Sequence, residues 1–392
     1  MTPTLERYAR IDAVPWIGED GRARLRNATA AVLGAGNIGG QLAHHLVLLG
    51  IRVVLVDRDV VETVNLGTQS FTEDQLGLPK AEARARWLGP LNPSCRIEPV
   101  HADIRQLGLG ALRECSVFFS CLDSRPARVI VNEMATRLGI PWVDGALDGS
   151  GRTMFARVAA YDPRWPEAAC YLCPHDAASL RQMVEESSAT NGCQSLWWDQ
   201  AKELSPPTLA ISALGAMVAS IQAVWGLKIL LGRGEEVAGK EVYFNPDHDA
   251  MSTQRLRRNP RCLFDHRRYE LTPLALDAEE ATLERTFDEA ERRLGGPVTL
   301  LLPRRMIIKR ICCPDCGAER LPFRVPEALT AAELTCNCGG AMRPSPADLL
   351  DRFGRAEVSD FLKRTWAGAG LPAAEVVVAT SGESELHLLL GK

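Results

Sequence analysis

Residues 32–57 read VLGAGNIGGQLAHHLVLLGIRVVLVD, and the fold class follows from this stretch. The apolar run at 30–33 predicts a buried parallel strand. Gly34, Gly36 and Gly39 then give the spacing G-x-G-x-x-G ahead of a helix over 40–49. A second strand, 51–56, ends on Asp57. Glycines suit this turn because it is tight and because its backbone has to approach a phosphate, which sits at the positive N-terminus of the helix. Asp57, just over twenty residues after Gly34, is placed to accept hydrogen bonds from a ribose hydroxyl. Alone, the pattern indicates an adenine nucleotide and does not separate NAD, FAD, SAM and ATP.

Outward from this stretch, strand and helix signals alternate. Further strands are predicted at 96–100, 116–121, 141–143 and 153–160, with helices at 80–88 and 125–138. That alternation predicts an α/β fold with a doubly wound, Rossmann-like, mainly parallel sheet. With 392 residues the chain has room for two domains. The first spans 1–268 and carries an inserted loop region at 163–207; a long apolar helix at 208–231 leads to a strand at 241–244. The second, 269–392, is expected to be an α+β accessory module. Its elements are a charged helix at 278–294, a strand at 297–302, a cysteine cluster, a helix at 347–364 and strands at 375–379 and 386–389.

Composition narrows the class. Hydrophobic residues make up 46% and charged residues 24%, as in ordinary globular protein. A net charge of −4 gives no general attraction to nucleic acid or to anionic membranes. Local basic runs at 255–261 and 304–310 read as solvated faces or partner contacts. The opening residues MTPTLERYARID lack the basic-then-apolar design of a secretion signal, so a cytoplasmic location is expected. The apolar segment 208–231 contains Ser212, Ser220, Gln222 and Lys228 and many small residues, which suits a tightly packed core or dimer helix and not a membrane span. Twelve cysteines in such a chain read as metal ligands or catalysts before disulfides.

Polar residues continue past Asp57. Asp59, Asn65, Gln69 and Lys80 fall in the loop and helix start that would face the nucleotide, and Asp123 ends the strand VFFSCLD at the sheet's carboxyl edge. Hydride transfer needs no such series. Cleavage of ATP between its α- and β-phosphates needs a cation on the transferring phosphate, carboxylates for Mg²⁺ and ribose, and amides to orient oxygens. Cys170 and Cys173 have the knuckle spacing of a tetrahedral zinc site. Cys313 and Cys316, followed about twenty residues on by Cys336 and Cys338, predict a zinc ribbon over 311–342, with Cys312 a spare thiol that could replace Cys313.

From Arg7 to about His266 the chain resembles the ThiF/MoeB superfamily, the adenylating core shared with ubiquitin-activating enzymes. The matching segments are RYAR at 7–10, the glycine loop, DRD at 57–59, NLGTQ at 65–69, GLPK at 77–80, LNP at 91–93, CLDSRPAR at 121–128, CYLC at 170–173 and RNPRC at 258–262. The resemblance implies that 1–268 is an ATP-binding adenylation domain. Gly34, Gly36 and Gly39 would hold phosphates, Asp57 the ribose, Lys80 the phosphates and Asp123 a Mg²⁺ ion. Asp59, Asn65 and Gln69 would line the pocket, and Arg10 would reach the phosphates from the opposite protomer of a homodimer. Relatives commonly have arginine where this chain has Thr68, so the missing charge would come from elsewhere, Arg10 or Arg128 being candidates. The family pairs the first Cys-x-x-Cys with a second one after RNP. Here Cys262 is present and His266 would complete a Cys₃His site, Asp265 being a weaker ligand choice. Two structural zinc sites are thus expected.

The implied reaction is adenylation of the C-terminal glycine of a ubiquitin-like protein, with release of pyrophosphate. Cys193, in ATNGCQS, stands where family members often place a thioester-forming or persulfide-accepting cysteine. The first expectation is therefore activation of a ubiquitin-like protein, a thioester on Cys193 and transfer to a conjugating partner, as in bacterial conjugation systems often linked to antiphage defence. Sulfur-carrier activation for thiamine, molybdopterin or cysteine biosynthesis is the alternative. The extra module beyond 268 argues mildly against it, because plain biosynthetic members tend to end near the second zinc motif. From another class, a catalytically silent nucleotide- or nucleic-acid-binding zinc protein would draw on the basic runs and Thr68. An NAD-dependent oxidoreductase is disfavoured by Lys80, Asp123 and the 65–69 motif.

Overall fold

A computed structural model describes residues 6–148, 154–179, 181–182, 211–274 and 279–391. By contact density these residues form two compact units, and the boundary between them falls at Arg268/Tyr269. Residues Gln106–Ala111 belong to the second unit.

The first unit is built on an eight-stranded sheet in the order β3-β2-β1-β4-β5-β6-β7-β8. The strands are β1 (Thr29–Leu33), β2 (Arg52–Asp57), β3 (Ile97–His101), β4 (Val117–Ser120), β5 (Trp142–Asp148), β6 (Phe155–Tyr161), β7 (Lys240–Asn245) and β8 (Ala250–Arg255). The first five pair in parallel and the last three add on antiparallel. Strands β1 and β4 are buried almost throughout, as expected where helices cover both faces of parallel strands. The chain winds one way from β1 to β2 and β3, then the other way to β4 and β5. The carboxyl ends of β1, β2 and β4 therefore border the reversal point where such sheets bind ligands, with Leu33 opposite both Val56 and Ser120.

The main helices of this unit are α1 (Gly18–Asn27), α2 (Asn37–Leu48), α3 (Lys80–Leu88), α4 (Arg125–Leu138) and α5 (Ser212–Leu230). Helix α4 is bounded as its sequence dictates: Ser124 caps it by accepting the Ala127 N–H, Pro126 sits in the first turn, and Gly139 ends it in the left-handed region. Among the described residues α5 is the one helix long and apolar enough to cross a membrane. Here it is part of the core, lying against α2, β5 and β6. Gly215 lets it close on the Asn37 side chain and Gly226 on the Phe119 ring. Gln222, fully buried, donates to the carbonyls of Ser120 and Val143 at 3.0 Å each, so its amide is satisfied.

The glycines of the turn are not equivalent. A Cβ on Gly39 would stand 1.7 Å from the Gly34 carbonyl oxygen, whereas one on Gly36 would meet nothing closer than Gln69 Oε1 at 3.4 Å. We expect Gly39→Ala to destabilise the fold by more than ~2 kcal/mol and Gly36→Ala by less than ~1 kcal/mol, as read by the midpoint of urea unfolding. Equal losses in the two variants would contradict this division.

The second unit has a five-stranded sheet in the order β15-β10-β16-β17-β9. These strands are β9 (Leu271–Pro273), β10 (Thr299–Leu301), β15 (Arg352–Gly354), β16 (Val376–Ser381) and β17 (Ser384–Leu389). Helix α6 (Leu283–Leu294) starts at the Thr282 cap, ends at left-handed Gly295, and buries Leu283, Phe287 and Ala290. Its Thr286 hydroxyl accepts from the buried Trp366 indole at 2.7 Å. Leu109 N–H donates to Glu375 at 3.0 Å, tying residues 106–111 to this unit. Two short antiparallel pairs complete it: β11 (Ile307–Ile308) with β14 (Leu349–Leu350), and β12 (Ile311–Cys312) with β13 (Glu319–Arg320).

The helix expected at 347–364 does not form. The segment is instead a 3-10 turn at Pro346–Asp348, strands β14 and β15, and a kinked 3-10 stretch at Arg355–Phe361. Phe353 is taken into the core through β15, which pairs with β10, and Gly354 ends the strand. Strand β8 was not expected from the sequence, because all six of its residues are exposed and give no alternation to read.

Candidate active site and cysteine clusters

The turn after β1 is fixed by backbone bonds, with Gly34 N–H donating to the Val56 carbonyl at 2.8 Å and Gly34 at φ +101°. Asp57, at the end of β2, accepts from Ala35 N–H at 2.6 Å and from Asp59 N–H at 2.7 Å. Burial raises its pKa above the ordinary carboxylate value, and these two N–H groups act in the opposite sense. Lys80 opens α3, is 7% exposed, and places Nζ 3.1 Å from Asp59 Oδ2. Its backbone N–H also donates to the Asp59 carbonyl. Asp59, whose side chain is half exposed, is the ion-pair partner of this buried lysine and is placed to give way to a phosphate.

Asn65 is buried, and its Oδ1 accepts from Glu62 N–H at 2.8 Å, closing a capping box on the short helix Thr63–Leu66. Gln69 lies over Gly36 with its Oε1 buried and, among the described residues, unpartnered. Asp123 follows β4 and is exposed. Arg10 is exposed on the short helix Ala9–Asp12, just after Tyr8, whose hydroxyl accepts from Asn92 at 2.7 Å. The structure thus brings Gly34, Gly36, Asp57, Asp59, Gln69 and Lys80 together. Cys193 lies outside the described residues.

Arg128 does not provide the spare cation considered from the sequence. Its Nε donates to fully buried Asp144 at 2.9 Å, and its other arm donates to the Leu122 carbonyl, one residue before Asp123. Asp144 also pairs with Arg157, which in turn holds buried Glu241 at 2.7 Å. This network lies in the interior, and its members are too far apart in the chain to form a motif.

Each group of four metal-type ligands has its ligand atoms within 4.8 Å of one another. In the first, Cys170 Sγ is 3.8 Å from both Cys262 Sγ and Cys173 Sγ, and Cys173 Sγ is 3.6 Å from His266 Nε2. Tetrahedral zinc with bonds of about 2.3 Å separates its sulfurs by about 3.8 Å, so three thiolates and an imidazole fit the ion. His266 adopts φ +57° to reach this position. Asp265 is not a ligand: its carboxylate accepts from Arg137 and from Arg267 N–H. Asn259, of the RNP motif, donates to the Cys173 carbonyl at 3.2 Å and braces the knuckle.

In the second group, Cys313 lies 3.5 Å from Cys338 and Cys316 lies 3.5 Å from Cys336. Gly317 and Gly339, at φ +73° and +90°, turn the two knuckles so that Cys313 and Cys336 present their carbonyls to the following N–H groups. Cys312 is not interchangeable with Cys313, because strand alternation points it to the other side, where its thiol meets Glu319.

A doubly wound sheet with a glycine turn, a carboxylate at the end of β2 and a buried lysine at its reversal point defines a nucleotide-binding α/β protein. The match is specific: the ThiF family signature covers residues 8–264, and the chain belongs to the ThiF family. It is 29% identical over 264 residues to the SAMP-activating enzyme E1 of Haloferax volcanii, a match covering 66% of this chain and 87% of that protein. It is 32% identical over 265 residues to a sulfur carrier protein adenylyltransferase of Thermus thermophilus, covering 66% and 89%. Among solved structures, Escherichia coli MccB with MccA-N7isoASN shares the fold, with a TM-score of 0.52 at 20% identity over 66% of this chain and 74% of that one.

Proposed function

We propose that this protein binds ATP with Mg²⁺ and adenylates the C-terminal glycine of a ubiquitin-like or sulfur-carrier protein. The observation that carries this reading is the buried Lys80, paired with half-exposed Asp59 beside the glycine turn. A cation placed on the phosphate side suits phosphoryl chemistry, where charge gathers on the transferring group. The names of the two relatives, an activating enzyme and an adenylyltransferase, support the same reaction. Gly34, Gly36 and Gly39 with the N-terminus of α2 receive the phosphates, Asp57 orients the ribose and Gln69 lines the cradle. The carrier's terminal carboxylate attacks the α-phosphorus, a P–O bond to it forms, and the bond to the leaving pyrophosphate breaks. Lys80 stabilises the charge that gathers on the phosphate oxygens. Asp123 is the residue for Mg²⁺, which when bound neutralises phosphate charge. Arg10 joins the site from the partner protomer of a homodimer.

The two cysteine groups hold zinc in structural roles, since each offers a complete set of four protein ligands and leaves no open position. Residues 311–342 are then a zinc ribbon in an accessory module spanning 269–392, and residues 1–268 form the adenylation domain. After adenylation, Cys193 takes the acyl group as a thioester and AMP leaves, before transfer to a conjugating partner. Sulfur transfer is the second reading, favoured by the Thermus thermophilus relative, named as a sulfur-carrier adenylyltransferase.

ATP–pyrophosphate exchange tests the first step: label should enter ATP only when a small carrier ending in glycine is added. Exchange independent of the carrier, or tight NADH binding without ATP binding, would overturn the reading. Mass analysis of the enzyme then separates the branches. A thiol-labile adduct lost in Cys193→Ala, with exchange retained, marks the thioester, whereas a thiocarboxylate on the carrier marks sulfur transfer.

A further inference from the structure

Arg84 lies one turn beyond Lys80 on α3 and is 3% exposed. Its guanidinium donates to two successive carbonyls, those of Gln69 and, at 3.5 Å, Ser70, and lies 4.2 Å from the centre of the Phe71 ring. Ser70 adopts φ +53°, an uncommon conformation for serine that turns this backbone locally. On its other side the guanidinium presses on the first turn of α2, where a Cβ on Gly40 would stand 2.5 Å from Cζ. Nε is buried and has no hydrogen-bond partner among the described residues.

No carboxylate pairs with Arg84 among the described residues. Asp57 is the acid whose charge reaches it, and Asp57 already accepts two backbone N–H groups. Burial pushes the guanidinium pKa down to about 10, so the charged form is held at a cost. The setting adds to that cost, because the N-terminal turn of α2 carries the positive end of a helix dipole and repels a cation. A buried cation packed on a helix N-terminus becomes favourable once an anion is bound nearby, at the glycine turn that opens the helix.

We propose that Arg84 is a positioning and charge-supplying residue of the nucleotide site: it fastens the Gln69–Ser70 turn over the glycine loop and adds an uncompensated positive charge that selects for the polyphosphate. The inference rests on the nucleotide reading above and deepens it by assigning triphosphate selectivity to a residue outside the glycine turn. It also supplies, from within one protomer, a cation for the site that contains Thr68.

The test is calorimetric titration of the full chain with Mg·ATP and, separately, with adenosine. Adenosine shares the ribose and base contacts and lacks the phosphates. Arg84→Met should weaken ATP binding roughly 10- to 100-fold and change adenosine binding less than threefold, the range of one charge-assisted contact. Arg84→Lys, which keeps the charge and loses the two-carbonyl fork, should fall between the two. Gly40→Ala is an independent probe, since it displaces the guanidinium without altering charge, and it should also lower ATP relative to adenosine. This arm decides the question if the methionine variant does not fold. Equal losses for both ligands would reduce Arg84 to a structural role and overturn the proposal, as would unchanged ATP affinity in a folded variant. If the unaltered protein binds neither ligand, the nucleotide reading fails and takes this inference with it. Binding of both by the unaltered protein isolates the fate of Arg84.

Discussion

Lys80→Met lowers carrier-dependent pyrophosphate exchange on the order of 10²- to 10³-fold, the usual loss when one preorganised electrostatic contact to a developing charge is removed. The fold should tolerate the change. Lys80 is buried along its stem, methionine refills that space, and the partner left behind, Asp59, is half exposed and can be solvated by water. The loss should appear mainly in the rate of exchange, with thermal unfolding little moved. A methionine variant that exchanges within threefold of the unaltered protein would remove Lys80 from the reaction and with it the main support for phosphoryl chemistry.

Zinc content gives the second large effect. The unaltered protein should carry two equivalents, and either Cys313→Ser or Cys170→Ser should carry one. The consequences differ by site. Around Cys313 the apolar cluster is small, consisting of Ile308, Ile311, Cys313, Cys336 and Met342 with three partly buried leucines. Such a core supplies little stability alone, and structural zinc is worth about 10 kcal/mol or more in the smallest metal-folded domains. Cys313→Ser should therefore abolish amide-exchange protection at Cys312, Cys313 and Cys336, while residues of the first unit keep theirs. Around Cys170 the knuckle is built into a larger structure: Tyr171 N–H donates to the side-chain Oδ1 of buried Asn132 at 2.9 Å, and its ring meets Trp142 and Tyr161. Cys170→Ser should thus lower the unfolding temperature of the first unit without unfolding it. Two equivalents of zinc retained in either variant would show that the cysteine concerned is not a ligand.

Much of the candidate site was legible because its parts are local. Gly34 through Gly39, Asp57 and Lys80 are each tied to the end of a strand or the start of a helix, where one residue type meets one backbone requirement. The first cysteine group was legible to the extent that Cys170 and Cys173 share a knuckle. Its other half, nearly a hundred residues away, needed the RNP resemblance, and whether Asp265 or His266 turns inward depends on Arg137 taking the aspartate. Arg84 was missed: within a helix it reads as one more amphipathic charge, and the only local hint is a second glycine, Gly40, after Gly39. The Arg128–Asp144–Arg157–Glu241 chain was likewise illegible, because four residues from four elements meet only once the sheet has formed. In the second unit, residues 347–364 read as a helix by composition, yet pairing of β15 with β10 and burial of Phe353 override that propensity.

The sequence by itself determined the glycine turn, the carboxylate that ends the next strand and the cysteine pairs at 170/173, 313/316 and 336/338, since each is set by residues close along the chain, and its strand–helix alternation predicted the parallel sheet. Tertiary structure alone decided which charges are neutralised and which are not. Arg128 is absorbed by Asp144, Lys80 is lightly held by Asp59, and Arg84 is buried against two carbonyls with no acid paired to it among the described residues. The physical reason is that the energy of a charge depends on its dielectric surroundings and its nearest opposite charge, and both are properties of the packed interior.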